Sequence, residues 1–180
     1  MISPLALSLG ASTLWCVILF VSDRTRLQPW PPVEGGWFTA LWAWGLTSLI
    51  YVGQFQAATA DWNALGWNAW VRWSLGGVIL TVPSLWLQGK AMADLGLKGT
   101  SGWNVGLVTN GTYARRRHPQ YTGQIISLIG LGVLAGSIPA LIAGAAGSGA
   151  LVYAAMVEDR TLARRHAETF AAYKAQTSLL

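Results

Sequence analysis

Charge is scarce in this chain. Its 180 residues include 12 Lys and Arg and 7 Asp and Glu, so charged side chains make up 11%, roughly half the ~25% of a soluble domain. Hydrophobic residues make up 53%, more apolar surface than a water-soluble domain of this size can hide, so lipid is the expected solvent for much of it. Cysteine is limited to Cys16, set in an apolar run, which excludes a disulfide framework and leaves a small core residue. With only two His and few carboxylates besides, no protein-bound metal site is expected. The N-terminal Met-Ile-Ser-Pro-Leu lacks a basic region and a cleavage site, so the first apolar run is read as retained and not as a signal peptide. No internal repeat or low-complexity tract is evident. The net charge is +5, but the basic residues alternate with membrane-length apolar runs, which argues against a nucleic-acid partner.

What the chain has in quantity is tryptophan, 11 residues, the side chain that collects at bilayer interfaces. The expected fold is all-α, a polytopic membrane bundle of about five transmembrane helices in one domain, residues 1–180. The first three spans are read at about 2–21, 36–58 and 70–87, with a Pro-rich turn (Pro29, Pro31, Pro32) and a Trp-rich polar loop near Asp61 between them. Arg72 is expected to snorkel to headgroups, and Pro83 to kink the third helix. Residues 89–118 are glycine-rich and polar, which predicts a surface loop with a short helix near Met92.

From Pro119 to Val157 there is no Asp, Glu, Lys or Arg. That length is nearly twice one span, so it must fold back on itself, and Gly136-Ser137-Ile138-Pro139 supplies the break. Small residues at helical spacing (Gly123 and Ser127, Gly132 and Gly136, Ala140, Gly144 and Ser148) predict a tight hairpin of helices four and five. Residues 158–180 carry Leu162, His166, Phe170 and Tyr173 at helical spacing, an amphipathic helix at the interface. Five spans place Arg24, Arg26, Lys90, Lys98, Arg115, Arg116, Arg117, Arg160, Arg164, Arg165 and Lys174 on one side and only Arg72 opposite. The positive-inside rule then puts the N-terminus outside and the C-terminus in the cytoplasm, in what reads as a prokaryotic inner membrane.

A tight hairpin brings two polar clusters to one membrane face. The first is Gly111-x-Tyr113-x-x-x-Arg117-His118-Pro119-x-Tyr121-x-Gly123; the second is Glu158-Asp159-x-x-Leu162. Together they resemble the isoprenylcysteine carboxyl methyltransferase superfamily, which includes phospholipid N-methyltransferases. The likeness covers about residues 90–175. Thr112 stands where that family usually has Pro, and Asp159 where a second Glu is common. The resemblance implies S-adenosylmethionine as methyl donor, with residues 89–180 as the catalytic part and residues 1–88 carrying the first three spans. It also implies a lipophilic or lipid acceptor reaching the site sideways from the membrane.

The residue types suit that donor. Glu158 can take its ammonium, while His118 and the backbone N–H groups at the Pro119 helix start can take its carboxylate and ribose hydroxyls. Tyr113 and Tyr121 can flank the adenine or the sulfonium, and Gly111 and Gly123 permit close backbone approach. Arg117, Glu158 and Asp159 are the candidate catalytic residues. Arg117 would orient an anionic acceptor, and Glu158, Asp159 or His118 would accept a proton if the nucleophile is an amine or thiol. Blander readings stand beside these: Arg115 and Arg116 as topology determinants on anionic lipid, His166 and Tyr173 as packing residues. Two other functions compete with this one, an NADPH-dependent membrane reductase of the sterol type and a non-enzymatic scaffold. Gln124 stands where those reductases usually carry an acidic residue.

Overall fold

In the computed structural model, which describes residues 2–180, every regular element is helical, and among the described residues the only β-type pairing is an isolated bridge between Arg116 and Ser178. Helix α1 (Pro4–Arg24) starts with Pro4 at its first position and Ser3 accepting the Ala6 N–H at 3.2 Å, a pairing that satisfies a donor the helix cannot. Helix α2 (Trp37–Ala60) follows the Pro-rich turn. Of all the helices, α1 and α6 (Ile138–Arg165) are long and apolar enough to cross a membrane by length and composition. The large apolar side chains on the outer faces, among them Phe38, Leu41, Val78 and Trp86, make a surface suited to lipid and not to water.

The third apolar stretch is more elaborate than one kinked helix. A single turn, α3 (Ala69–Val71), leads into a π-helical segment, Arg72–Thr81, and then α4 (Val82–Thr100). Pro83 lies just past the π-segment and has no N–H to give the ladder. The wider register hands the Val82 N–H to the Gly77 carbonyl, and the Thr81 hydroxyl takes the Gly76 carbonyl at 2.6 Å.

Four expectations are corrected here. Residues 89–100 are not a loop: α4 continues through Met92 to Thr100, interrupted only at Gly96 (φ 75°, ψ 161°). Its polar residues are tolerated because its other face lies on α5 (Pro119–Ala135), with Ala91 fully buried. Arg72 does not snorkel. It is 5% exposed, donates from Nη1 to the Ala135 carbonyl at 3.2 Å and sits 5.0 Å over the Trp62 ring. The end of α5 needs donors for its last carbonyls and favours a cation, so it captures this guanidinium. The C-terminal stretch is not one amphipathic helix: α6 runs on to Arg165, the chain bends at His166, and α7 (Ala167–Gln176) turns back with Phe170 buried. The tryptophans are not all interfacial anchors: Trp15, Trp30 and Trp42 form an internal cluster with centroids 5.4–5.9 Å apart.

Helices α5 and α6 are joined through Gly136 and Ser137. Gly136 adopts a left-handed conformation (φ 58°) and returns its N–H to Gly132 and Val133, while Ser137 caps α6 through the Ala140 N–H. Only a glycine takes that conformation without cost. A Cβ on Gly144 would lie 2.7 Å from the Leu128 carbonyl oxygen, and one on Gly132 2.8 Å from Leu141, so the small residues let the two backbones close. Gly123 does the same toward α4, where an added Cβ would stand 2.7 Å from the Ser84 carbonyl oxygen. Gly123→Ala is therefore expected to destabilise the protein by about 1–3 kcal/mol through overpacking. A thermal midpoint unchanged from wild type would show that α4 yields freely.

Candidate active site

The chain between α4 and α5 is shaped by a small network. A short 3-10 turn, Gly111–Ala114, is capped by Asp94, whose Oδ2 accepts the Thr112 N–H at 2.8 Å and its hydroxyl at 2.9 Å. Proline at 112 could not donate the first of these. The Lys90 ammonium, with Thr112, holds the Asp94 carboxyl down at about 2. Gly111 has φ 57°, and a Cβ there would overlap the Asp94 carboxylate, so this glycine serves the turn itself. The turn delivers Tyr113 inward and leaves Arg117 and His118 just ahead of Pro119, which opens α5.

On α6, Glu158 and Asp159 are successive residues and therefore about 100° apart around the axis. Asp159 receives the Arg117 Nε at 3.0 Å on each oxygen and lies 3.0 Å from the His118 Nε2. Glu158 lies 3.4 Å from the other ring nitrogen of His118, and its Oε1 accepts from the Trp30 indole at 2.7 Å and from the Tyr121 hydroxyl. One imidazole thus bridges two adjacent carboxylates. Burial alone would lower the His118 pKa, but hydrogen bonds to Asp159 and Glu158 outweigh it and the net direction is upward. Burial, reinforced by the Glu158 charge, pushes the Tyr113 phenol up, so it stays neutral.

Folding and protonation of His118 therefore support each other. That contribution to stability is fully present below the ordinary value of 6.5 and is lost as pH rises through the raised one. Thermal midpoints are expected to fall as pH rises from the ordinary value through the raised one, and His118→Gln should remove that part of the slope. An identical slope in the variant would assign the pH dependence elsewhere.

The C-terminal residues clip onto the same strip of chain. The Arg117 N–H donates to the Ser178 carbonyl (2.9 Å), the His118 N–H to Leu179 (3.1 Å) and the Ser178 N–H to Arg115 (3.2 Å). The Arg117 Nη1 reaches the Thr177 carbonyl at 2.6 Å, and the Tyr173 hydroxyl reaches the Tyr113 carbonyl at 2.6 Å. Most of the Arg117 fork is thus engaged within the protein, which leaves Nη2 for a ligand and no two-pronged grip. Arg117→Lys keeps the charge but cannot span Asp159 and Thr177 together. Turnover is expected to fall about tenfold or more with the fold retained, the loss of one charge-assisted bond; wild-type turnover would leave Arg117 a purely structural role.

A cavity opens beside this cluster, with about 1180 Å³ of empty space including its mouth. Tyr113, Arg117, His118, Tyr121 and Glu158 line it. Asp159 lies behind them, held against Arg117 and His118. Pro119 is buried at the start of α5, and Gly111 and Gly123 pack against Asp94 and α4, so these glycines meet protein where a ligand was expected. Sequence reasoning missed Trp30, which orients Glu158, and Trp103, another wall residue. Only the flanking prolines hinted that Trp30 sits in a fixed turn. The Asp94 cap was also missed, its partner lying 18 positions away.

The family model described as phospholipid methyltransferase matches residues 73–169, a span that holds α4, the 3-10 turn, α5, and both carboxylates of α6. No curated protein and no solved structure matches the chain.

Proposed function

This chain belongs to the phospholipid methyltransferase family, and on that premise we propose that it is an integral-membrane enzyme that moves a methyl group from S-adenosylmethionine to a lipophilic acceptor. The observation that carries the reading is the setting of Glu158. Trp30 and Tyr121 hold one of its oxygens, and the other faces His118 at 3.4 Å on the cavity wall. A carboxylate has about four acceptor positions, so capacity remains on Glu158 for an ammonium group.

The remaining polar groups fit the same donor. The N–H groups of Gln120 and Tyr121 lie in the first turn of α5, where a helix has no partner for them and favours an anion. Tyr113 and Tyr121 place aromatic rings on the cavity wall, a surface that suits a cationic sulfonium. The cavity is open on one side, so an acceptor can reach a donor bound against these groups. When bound, S-adenosylmethionine supplies an electrophilic methyl group on a sulfonium. The chain contributes positioning, since direct displacement needs donor methyl and nucleophile in line. Glu158 anchors, Arg117 presents its one free nitrogen, and Asp159 holds Arg117 and His118 in place. For an amine or thiol acceptor, Glu158 stands where a proton can be taken.

Five spans, with the N-terminus outside, put the cavity mouth at the cytoplasmic face, where eleven of the twelve Lys and Arg lie. Isothermal titration of the purified protein with S-adenosylhomocysteine and with NADPH tests the reading. Binding of the first and none of the second is expected; binding of NADPH alone would overturn it.

A further inference from the structure

Several polar groups along the cavity wall are committed to protein partners. The Trp44 indole donates to Ser101 at 3.1 Å, the Thr47 hydroxyl to the Ala43 carbonyl at 2.9 Å, and the Trp30 indole and Tyr121 hydroxyl to Glu158. Three wall residues differ: Trp15, Thr100 and Gln124 each carry a polar atom buried without a hydrogen-bond partner among the described residues, and of the three only the Gln124 Oε1 is solely an acceptor. Gln124 is 5% exposed, and among the described residues its Oε1 is buried without a hydrogen-bond partner. Its neighbours do not relieve it: Tyr51 and Gln88 both engage Ser127, and Tyr51 reaches only the Gln124 backbone carbonyl at 3.3 Å. A buried amide oxygen is seldom left unpaired, because it gave up water to get there.

Gln124 follows Tyr121 by nearly one turn of α5, on the side away from the ionic cluster. Trp15, Ala43, Thr47 and Leu151 line the cavity with it, and Leu151 lies about two turns of α6 before Glu158. No carboxylate or cation lines that part of the wall. An ammonium group would be desolvated there without a counter-charge, whereas an uncharged O–H or N–H meets the orphan oxygen at no such cost.

We propose that Gln124 selects the methyl acceptor by accepting a hydrogen bond from an uncharged donor, a hydroxyl or an amide, carried near the head of a lipophilic molecule whose chain lies against Ala43 and Leu151. The assignment rests on the methyltransferase reading. The same oxygen could instead accept the exocyclic amine of the donor's adenine, and the two sources are separable by experiment.

The test follows intrinsic fluorescence of the full chain in detergent, since Trp15, Trp30 and Trp44 line the cavity, while titrating n-dodecanol, n-dodecane and S-adenosylhomocysteine. Wild type is expected to prefer dodecanol to dodecane. Gln124→Met, of similar volume, and Gln124→Leu should each cut dodecanol affinity about fivefold, the size of one neutral hydrogen bond, and leave S-adenosylhomocysteine affinity unchanged. That unchanged affinity also reports an intact fold. Equal dodecanol affinity in wild type and variants, with S-adenosylhomocysteine still bound, overturns this assignment alone. A parallel loss of S-adenosylhomocysteine affinity gives the oxygen to adenine and overturns it too. Failure of wild type to bind S-adenosylhomocysteine removes the methyltransferase reading and this assignment together.

Discussion

Glu158→Gln is expected to lower affinity for S-adenosylhomocysteine by roughly ten- to a hundredfold, the range for losing one charge-assisted hydrogen bond in a desolvated site. The substitution is nearly isosteric, and the amide oxygen can still accept from Trp30 and Tyr121, so those contacts at 2.7 Å and closer should survive. What is lost is the negative charge facing the cavity and His118. Because the local hydrogen bonds persist, the thermal midpoint should move little while the titration changes greatly. Glu158→Ala should weaken binding more than Asp159→Ala does. Equal affinities in those two variants would mean that the ligand is held by the acidic pair as a unit.

Asp159→Ala should fail differently, through stability. Its carboxylate is the partner of two buried cationic groups: the Arg117 side chain, 6% exposed, and His118. Without it His118 can shed its proton, but the Arg117 guanidinium cannot. A buried pair broken by removing one partner loses about 3–5 kcal/mol, far more than a surface ion pair. Thermal denaturation in detergent measures this directly. The double variant Asp159→Ala, Arg117→Met should recover part of the loss, since the stranded charge is gone. A double variant no more stable than the single one would indicate that Asp159 supports the fold by another route.

These two variants divide the acidic pair by role: the sequence reading already gave the ammonium to Glu158, but the pairing of Asp159 with Arg117 and His118 could not be read there. The motif around Arg117 and His118 was legible because it abuts an uncharged run too long for one span, and Glu158 because it is the first charge after that run. Gly136 and the small residues at 132 and 144 likewise announced a close return of the chain. Whether Glu158 or Asp159 faces the cavity depends on the rotation of α6, which the packing of Gly144 and Ala154 decides and no local pattern encodes.

Other features were illegible for reasons of distance. The glycines at 96, 99 and 102 suggested a loop, yet only Gly96 breaks α4, because the helix gains its stability from α5 and not from its own residues. Arg72 near the start of an apolar segment looked like a lipid anchor. Its real partner is a carbonyl 63 positions away at the end of α5. Trp30 and the residues 177–179 join the site through single contacts across more than half the fold or through backbone carbonyls, and neither carries a side-chain signature.

The central claim is that one bound nucleoside sits between the α5 start and Glu158. An experimental structure of the full chain with S-adenosylhomocysteine tests it most directly. The account predicts the ligand's amino group within about 3 Å of a Glu158 oxygen, with His118 alongside and Asp159 still behind Arg117. A ligand bound elsewhere, or Glu158 bonded to protein groups alone while the ligand is present, would contradict it.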